Sequence, residues 1–187
     1  MTKAFPVPDL PDYAKDIKLN LSSLFRPGGT PGLAESQAAG VALASAIASR
    51  NGDYTAQVQA FVADMLDESA VHAVKAAAAV MAMNNIYYRF VHLVEDAEYH
   101  SLPARLRMNV LRSPGVAPVD FELYSLAVSA INGCGMCVRS HERSLREHGI
   151  TREGVQSAVR VAAVVHAAAV TVEQASHERS TDTDQAA

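Results

Sequence analysis

The amino-acid sequence predicts an all-α protein of about eight helices, and three observations carry that expectation. Hydrophobic residues make up 49% of the 187 residues, aromatics only 6%, and Trp is absent, so Ala and Val supply most of the apolar content. Ala has the highest helix propensity and no side-chain entropy to lose, which favours helices packed at close range. Apolar positions recur at helical spacing through most of the chain, while Gly, Pro and Asn gather between the periodic stretches. Such a chain can bury a core without staples, which excludes extended disorder, collagen and a disulfide-rich secreted domain.

Each element has its own signals. The first helix is expected from Leu10 to Leu24, capped by Asp9, with Pro11 early, where a missing N–H costs nothing. Tyr13, Ile17, Leu21 and Leu24 form its apolar stripe. Arg26-Pro27-Gly28-Gly29-Thr30-Pro31-Gly32 is the strongest loop signal; it lacks the Lys of a phosphate-binding loop. The second helix spans about Leu33 to Arg50 and stops at Asn51-Gly52. The third covers Tyr54 to Leu66 and a long fourth Glu68 to Glu95. A short fifth is expected over Leu102 to Leu111, ahead of Ser113-Pro114-Gly115. Asp120 to Asn132 is the sixth, closed by Gly133, and the seventh runs from Cys134 to His148, with Gly149 after it. Thr151 caps the eighth, which ends near His177. Residues 1–177 read as a single helical domain and the polar stretch 178–187 as a disordered tail. Ala82-Met83-Asn84-Asn85 echoes Ala130-Ile131-Asn132-Gly133, which suggests a duplicated helical hairpin.

Charge and punctuation narrow the function. Lys and Arg number 16 against 20 Asp and Glu, a net charge of -4, so no nucleic-acid partner is expected. Met1-Thr2-Lys3-Ala4-Phe5-Pro6 opens no apolar run behind a positive start, so no signal peptide is expected. Val155 to Val172, the nearest approach to a membrane span, carries Arg160 and His166, so no membrane segment is expected. Two cysteines three apart cannot lock a large fold. They fit a reducing cytoplasm and redox or metal chemistry.

The chemistry concentrates in Asn132-Gly133-Cys134-Gly135-Met136-Cys137-Val138-Arg139-Ser140-His141. Gly133 ends one helix and Cys134 opens the next, so both thiols lie in or near a first turn, where unpaired N–H groups and the helix dipole favour a thiolate. At an ordinary pKa of about 8.5 roughly 3% of a thiol is ionised at pH 7; at about 6.5 the fraction is roughly 75%. Cys137 lies about 60° from Cys134 around the helix and His141 within about 40° of both. His141, one turn beyond Cys137, can act as base or, protonated, stabilise the thiolate. This i,i+4 relation favours Cys137 as the attacking sulfur and Cys134 as partner thiol and proton donor. Two other uses of the pair stay open: two small buried hydrophobes, or half of a zinc site recruiting His92, His100 or His166.

Glu122 stands in the first turn of the preceding helix, either as a carboxylate held by the dipole or as a third member that orients His141. The other candidates read as structural. His148 sits beside a helix C-terminus, His166 suits a hydrogen-bonded core histidine, and His72 and His92 lack partners at ligand spacing. Asn84 and Asn85 are expected to bond across a helix contact, and Met81, Met83 and Met108 to fill the core.

These residues, together with Asp12-Tyr13-Ala14-Lys15-Asp16-Ile17-Lys18-Leu19-Asn20-Leu21, Met83-Asn84-Asn85, Leu106-Arg107-Met108-Asn109, Phe121-Glu122-Leu123 and Ser129-Ala130-Ile131-Asn132-Gly133-Cys134, carry a family likeness. The chain resembles the alkyl hydroperoxide reductase D family, the AhpD-like alkylhydroperoxidases related to carboxymuconolactone decarboxylases, over nearly all of its length. The Glu–Cys-x-x-Cys-x-x-x-His arrangement is specific to that family. The resemblance implies an AhpD-like helical bundle assembled as a homotrimer, with a redox-active Cys134–Cys137 disulfide. It implies electron transfer from the dihydrolipoyl group (dihydrolipoamide) of a lipoyl-bearing 2-oxoacid dehydrogenase component to a peroxiredoxin, and weak direct reduction of hydroperoxides. It gives Cys137 the part of the sulfur that attacks peroxide and becomes a sulfenic acid, and Cys134 that of the proton donor that closes the disulfide. His141 and Glu122 match the proton relay. Relatives carry a His where this chain has Met136; Met136 cannot titrate and is expected to point about 100° away from Cys137, which tunes the rate without abolishing it.

No bound metal, haem, flavin or nicotinamide is expected. The alternative function is a non-enzymatic redox or zinc sensor on the same trimeric fold. A further expectation concerns assembly: the first helix, tethered through its Pro/Gly loop, would bury its apolar stripe against a neighbouring subunit.

Overall fold

The structure is a computed structural model that describes the backbone of residues 5–185 and the side chains of residues 5–178. Among the described residues it consists of eight α-helices and no β-strand. A 3-10 turn at Asp12–Ala14 leads into α1 (Lys15–Leu24), followed by α2 (Glu35–Ala48), α3 (Gly52–Val62), α4 (Glu68–Val94), α5 (Ala97–Ser101), α6 (Pro118–Ile131), α7 (Gly135–Glu147) and α8 (Arg152–Gln185).

Caps explain most boundaries. Asn51 starts α3 by accepting the Tyr54 N–H on its Oδ1 at 2.8 Å, two residues earlier than the apolar pattern suggests. Asp67 starts α4 in the same way through the Ala70 N–H at 2.8 Å. The fifth helix is displaced from its expected place. Asp96 caps Ala97–Ser101 through the Glu98 N–H, and Pro103 forces Leu102 into an extended conformation, so the chain leaves the helix there. Only a 3-10 turn at Asn109–Leu111 remains of the expected Leu102–Leu111 segment. At the other end, α8 does not stop near His177. The stretch read as a disordered tail carries no Gly or Pro to end the helix, which continues to Gln185.

The core forms around α2, whose residues from Ala38 through Ala46 are all buried and which packs against α3, α4, α6 and α8. Small residues make this close approach possible. A Cβ on Gly40 would collide with the ring of Tyr124 on α6, so α2 and α6 meet at a distance that only glycine permits. By length and composition alone, Arg152–Glu178 is apolar enough to cross a membrane; in the fold, Ala158, Val161, Ala162, Val165, Ala168 and Ala169 are buried core positions of α8, which packs against α2 and α6.

The N-terminal segment corrects one expectation. Leu10, Ala14, Leu21 and Leu24 are buried within the same chain, and α1 packs against α8. Phe5, Phe25 and Phe61 form an aromatic cluster with ring centroids 4.7–5.0 Å apart. The stripe expected to seek a neighbouring subunit is thus already used, leaving Tyr13 outside. Nor is the loop a slack tether: Ser157 donates to the Pro31 carbonyl at 2.8 Å and Arg160 to that of Gly29. Gly32, with φ +79°, lies against the Gly154 backbone, where a Cβ would clash.

Candidate active site

The α6–α7 junction places both cysteines. α6 ends at Ile131, Gly133 takes a left-handed φ of +69°, and the Cys134 N–H donates to the Ser129 carbonyl at 3.1 Å. Cys134 therefore becomes the N-cap of α7 rather than its first helical residue. Its Sγ accepts the Cys137 N–H at 3.3 Å, a sulfur standing where a cap oxygen usually does. Cys134 and Cys137 are joined by a disulfide. Cys134 is 0% exposed, whereas Cys137 is 7% exposed and reaches a cavity of about 380 Å³.

That cavity lies between α4, the segment after α5, and α7. From α7 it is lined by Cys137, Met136, Ser140 and His141; from α4 by Met81, Asn84 and Tyr88; Met108 and Leu111 close it. His141 Nδ1 pairs with Glu122 Oε2 of α6 at 2.7 Å, and both side chains are largely shielded from solvent. A carboxylate accepts and does not donate, so the contact orients the imidazole through its Nδ1. Glu122 is thus a partner of His141, beyond any interaction with its own helix start.

The four sequence-predicted residues converge, and several neighbours prove more than structural filler. Met81 and Met108, expected as core, and Met136, expected to turn away, all face the same cavity as Cys137. Met136 lies one turn before Ser140 on α7, and this row lines the cavity beside the row of Cys137 and His141. Asn85 meets its expectation: it donates to Ser129 Oγ at 2.9 Å and accepts from Asn132 Nδ2 at 3.0 Å. The two echoing segments therefore touch. Arg89, unsuspected in the sequence, donates to the Asn132 carbonyl at 2.7 Å and ties α4 to the turn that carries Cys134. The spacing of Met81, Asn84 and Tyr88 on one face of α4 was the available signal for this wall.

Three of the other histidines have local partners. His92 Nε2 lies 3.3 Å from Arg139 Nη2, His148 Nδ1 bonds the Ser144 carbonyl at 2.7 Å, and His166 Nδ1 lies 3.1 Å from Ser49 Oγ. Among the described residues, no group of three or more His, Cys, Asp or Glu side chains gathers as a ligand set. The zinc arrangement, which needs a ligand from His92, His100 or His166, is not assembled.

Residues 97–176 match the family model of the carboxymuconolactone decarboxylase family. The chain is 60% identical to an alkyl hydroperoxide reductase AhpD of Gluconacetobacter diazotrophicus over 166 residues, covering 89% of this chain and 90% of the relative. It is 51% identical to the protein of that name from Brucella canis over 169 residues, 90% of this chain and 95% of the relative. A third AhpD, from Rhodospirillum centenum, is 52% identical over 164 residues, 88% and 87% of the two chains.

Proposed function

The chain belongs to the AhpD family of alkyl hydroperoxide reductases, and on that premise we propose that it is an antioxidant, lipoyl-dependent peroxidase and disulfide reductase cycling through Cys134 and Cys137. One observation carries the reading: Cys137 is the sulfur that opens onto the cavity, shared there with a His141 held by Glu122 at 2.7 Å. In the oxidative half, the Cys137 thiol passes its proton to His141, and the resulting thiolate attacks the terminal oxygen of a hydroperoxide. The O–O bond breaks, Cys137 becomes a sulfenic acid, and the departing alkoxide takes a proton from His141. The Cys134 thiol restores that proton. The resulting Cys134 thiolate attacks the sulfenic sulfur, and hydroxide leaves as water with a proton from the same relay, closing the disulfide.

The reductive half runs through the same asymmetry. A thiolate of a dihydrolipoyl group attacks the accessible Cys137 sulfur, and the electron pair of the broken S–S bond goes to Cys134. The Cys137 N–H directed at Cys134 Sγ stabilises that leaving thiolate, and a better leaving sulfur makes exchange faster. The second donor thiol resolves the mixed disulfide. Electrons reach a peroxiredoxin by the same exchange, so the cycle needs a cytoplasmic dithiol donor and no bound cofactor. The assembly is a homotrimer. The decisive experiment is a dihydrolipoamide-dependent assay with an alkyl hydroperoxide, with and without a peroxiredoxin. Turnover that depends on both cysteines is expected; a protein that takes no electrons from dihydrolipoamide under either condition is instead the non-enzymatic sensor.

A further inference from the structure

Asn84 and Asn85 adjoin in α4 yet have opposite fates. Asn85 is satisfied by Ser129 and Asn132. Asn84, about 100° further round the helix, is only 4% exposed, lines the cavity of Cys137 and His141, and its Oδ1 is buried without a hydrogen-bond partner. A buried amide oxygen left unpaired opposes folding, so such a group calls for a ligand that supplies the missing donor. Ser140 and Tyr88 also line the cavity, but neither hydroxyl bonds this oxygen; the other walls are the thioethers of Met81, Met108 and Met136 and the side chain of Leu111, which carry no donor.

We propose that Asn84 is a substrate-binding residue that recognises the –O–O–H group itself. This rests on the peroxidase reading given above. A hydroperoxide carries a donor and an acceptor on adjacent oxygens, and a carboxamide presents an acceptor and a donor across one carbon. The terminal O–H donates to Oδ1, which aims that oxygen at the Cys137 thiolate. The Nδ2–H of the same amide donates to the second oxygen, where negative charge develops as the O–O bond breaks and the S–O bond forms. The alkoxide then takes its proton from His141, as before. The alkyl group of the hydroperoxide is left against the methionine wall. The interaction to the leaving oxygen strengthens toward the transition state, so it raises the rate of attack as well as binding.

The test compares two reactions of the pre-reduced protein. Asn84→Leu is close in size and deletes both polar atoms; Asn84→Ala makes the same deletion without apolar bulk and decides the matter if the Leu variant does not fold. The second-order rate of Cys137 oxidation by tert-butyl hydroperoxide is expected to fall at least about tenfold. Alkylation of Cys137 by iodoacetamide, which has no O–O–H group, should keep its rate and its pH profile. An unchanged oxidation rate overturns the assignment, and so does an equal fall in both reactions, which would place Asn84 behind the thiol rather than on the substrate. A wild-type protein whose Cys137 does not react with the hydroperoxide overturns the peroxidase reading as well, an outcome separate from wild-type reaction with indifferent variants.

Discussion

At the residue scale the two sulfurs are made different by one turn of backbone. Cys134 is enclosed and holds the Cys137 N–H on its Sγ at 3.3 Å, while Cys137 meets the cavity. Cys137→Ser is therefore expected to abolish turnover, whereas Cys134→Ser should be oxidised once and then stall at the sulfenic stage; full multiple turnover by the latter would refute a two-cysteine cycle. His141→Phe should slow attack on hydroperoxide by roughly 10²–10⁴, the usual contribution of a positioned acid–base group. Glu122→Gln removes the carboxylate but keeps an acceptor for Nδ1–H, so a smaller loss is expected. A pH–rate profile unaltered in His141→Phe would remove the imidazole from the mechanism. Helical spacing made Cys134, Cys137 and His141 legible as one stripe, and the family resemblance added Glu122. The sequence could not show Asn84 or Met136 at the same cavity. Both depend on how α4 and the segment after α5 are set against α7, which the spacing within one helix does not fix.

At the scale of elements the structure turns on close approach and on caps. Gly40→Ala should destabilise the protein by about 1–3 kcal/mol, because the Tyr124 ring occupies the space of the new methyl and the buried α2–α6 contact must open. Chemical denaturation measures this directly, and an unshifted midpoint would mean that the ring yields freely. Asp67 supplies a pH signature. The Ala70 N–H and then the Ser69 hydroxyl hold its carboxyl below the ordinary carboxylate range. Its contribution is thus complete above an unfolded-state pKa of about 3.9 and is lost as pH falls through the lower folded value. Asp67→Asn keeps the cap without the titration, so the acid unfolding of that variant should be less steep over this interval; identical profiles would exclude Asp67 as a contributor. Helices whose limits are written in Asp67, Gly133 or Gly149 were legible within a residue or two. The fifth helix was not, since Asp96 and Pro103 act locally and outweigh the weak periodicity of Leu102 to Leu111.

At the scale of the whole molecule, α4 divides its labour. One face presents Asn84 and Tyr88 to the cavity, and the outer face carries Ile86, Phe90 and Leu93 at i, i+4 and i+7, with Ile86 64% and Leu93 69% exposed. Phe90 also stacks edge-on with the exposed Tyr99 of α5, with ring centroids 5.2 Å apart. An apolar row of this kind on one helix is what a subunit interface requires. The N-terminal helix is a poorer choice, because Leu21 and Leu24 already belong to the core of their own chain. Truncation before Thr30 would remove part of that core and unfold the protomer before it reported on assembly. The cleaner variant is the double substitution Phe90→Glu with Leu93→Glu, which places charge on a solvent-facing surface and leaves the buried residues alone. Light scattering on the native chain should return about 60 kDa, three copies of 19.9 kDa, by closed heterologous contacts. The double variant should return about 20 kDa with an unchanged helical circular dichroism spectrum. A variant that remained at about 60 kDa would move the interface off α4, and a native protein of about 20 kDa would dispose of the trimer altogether.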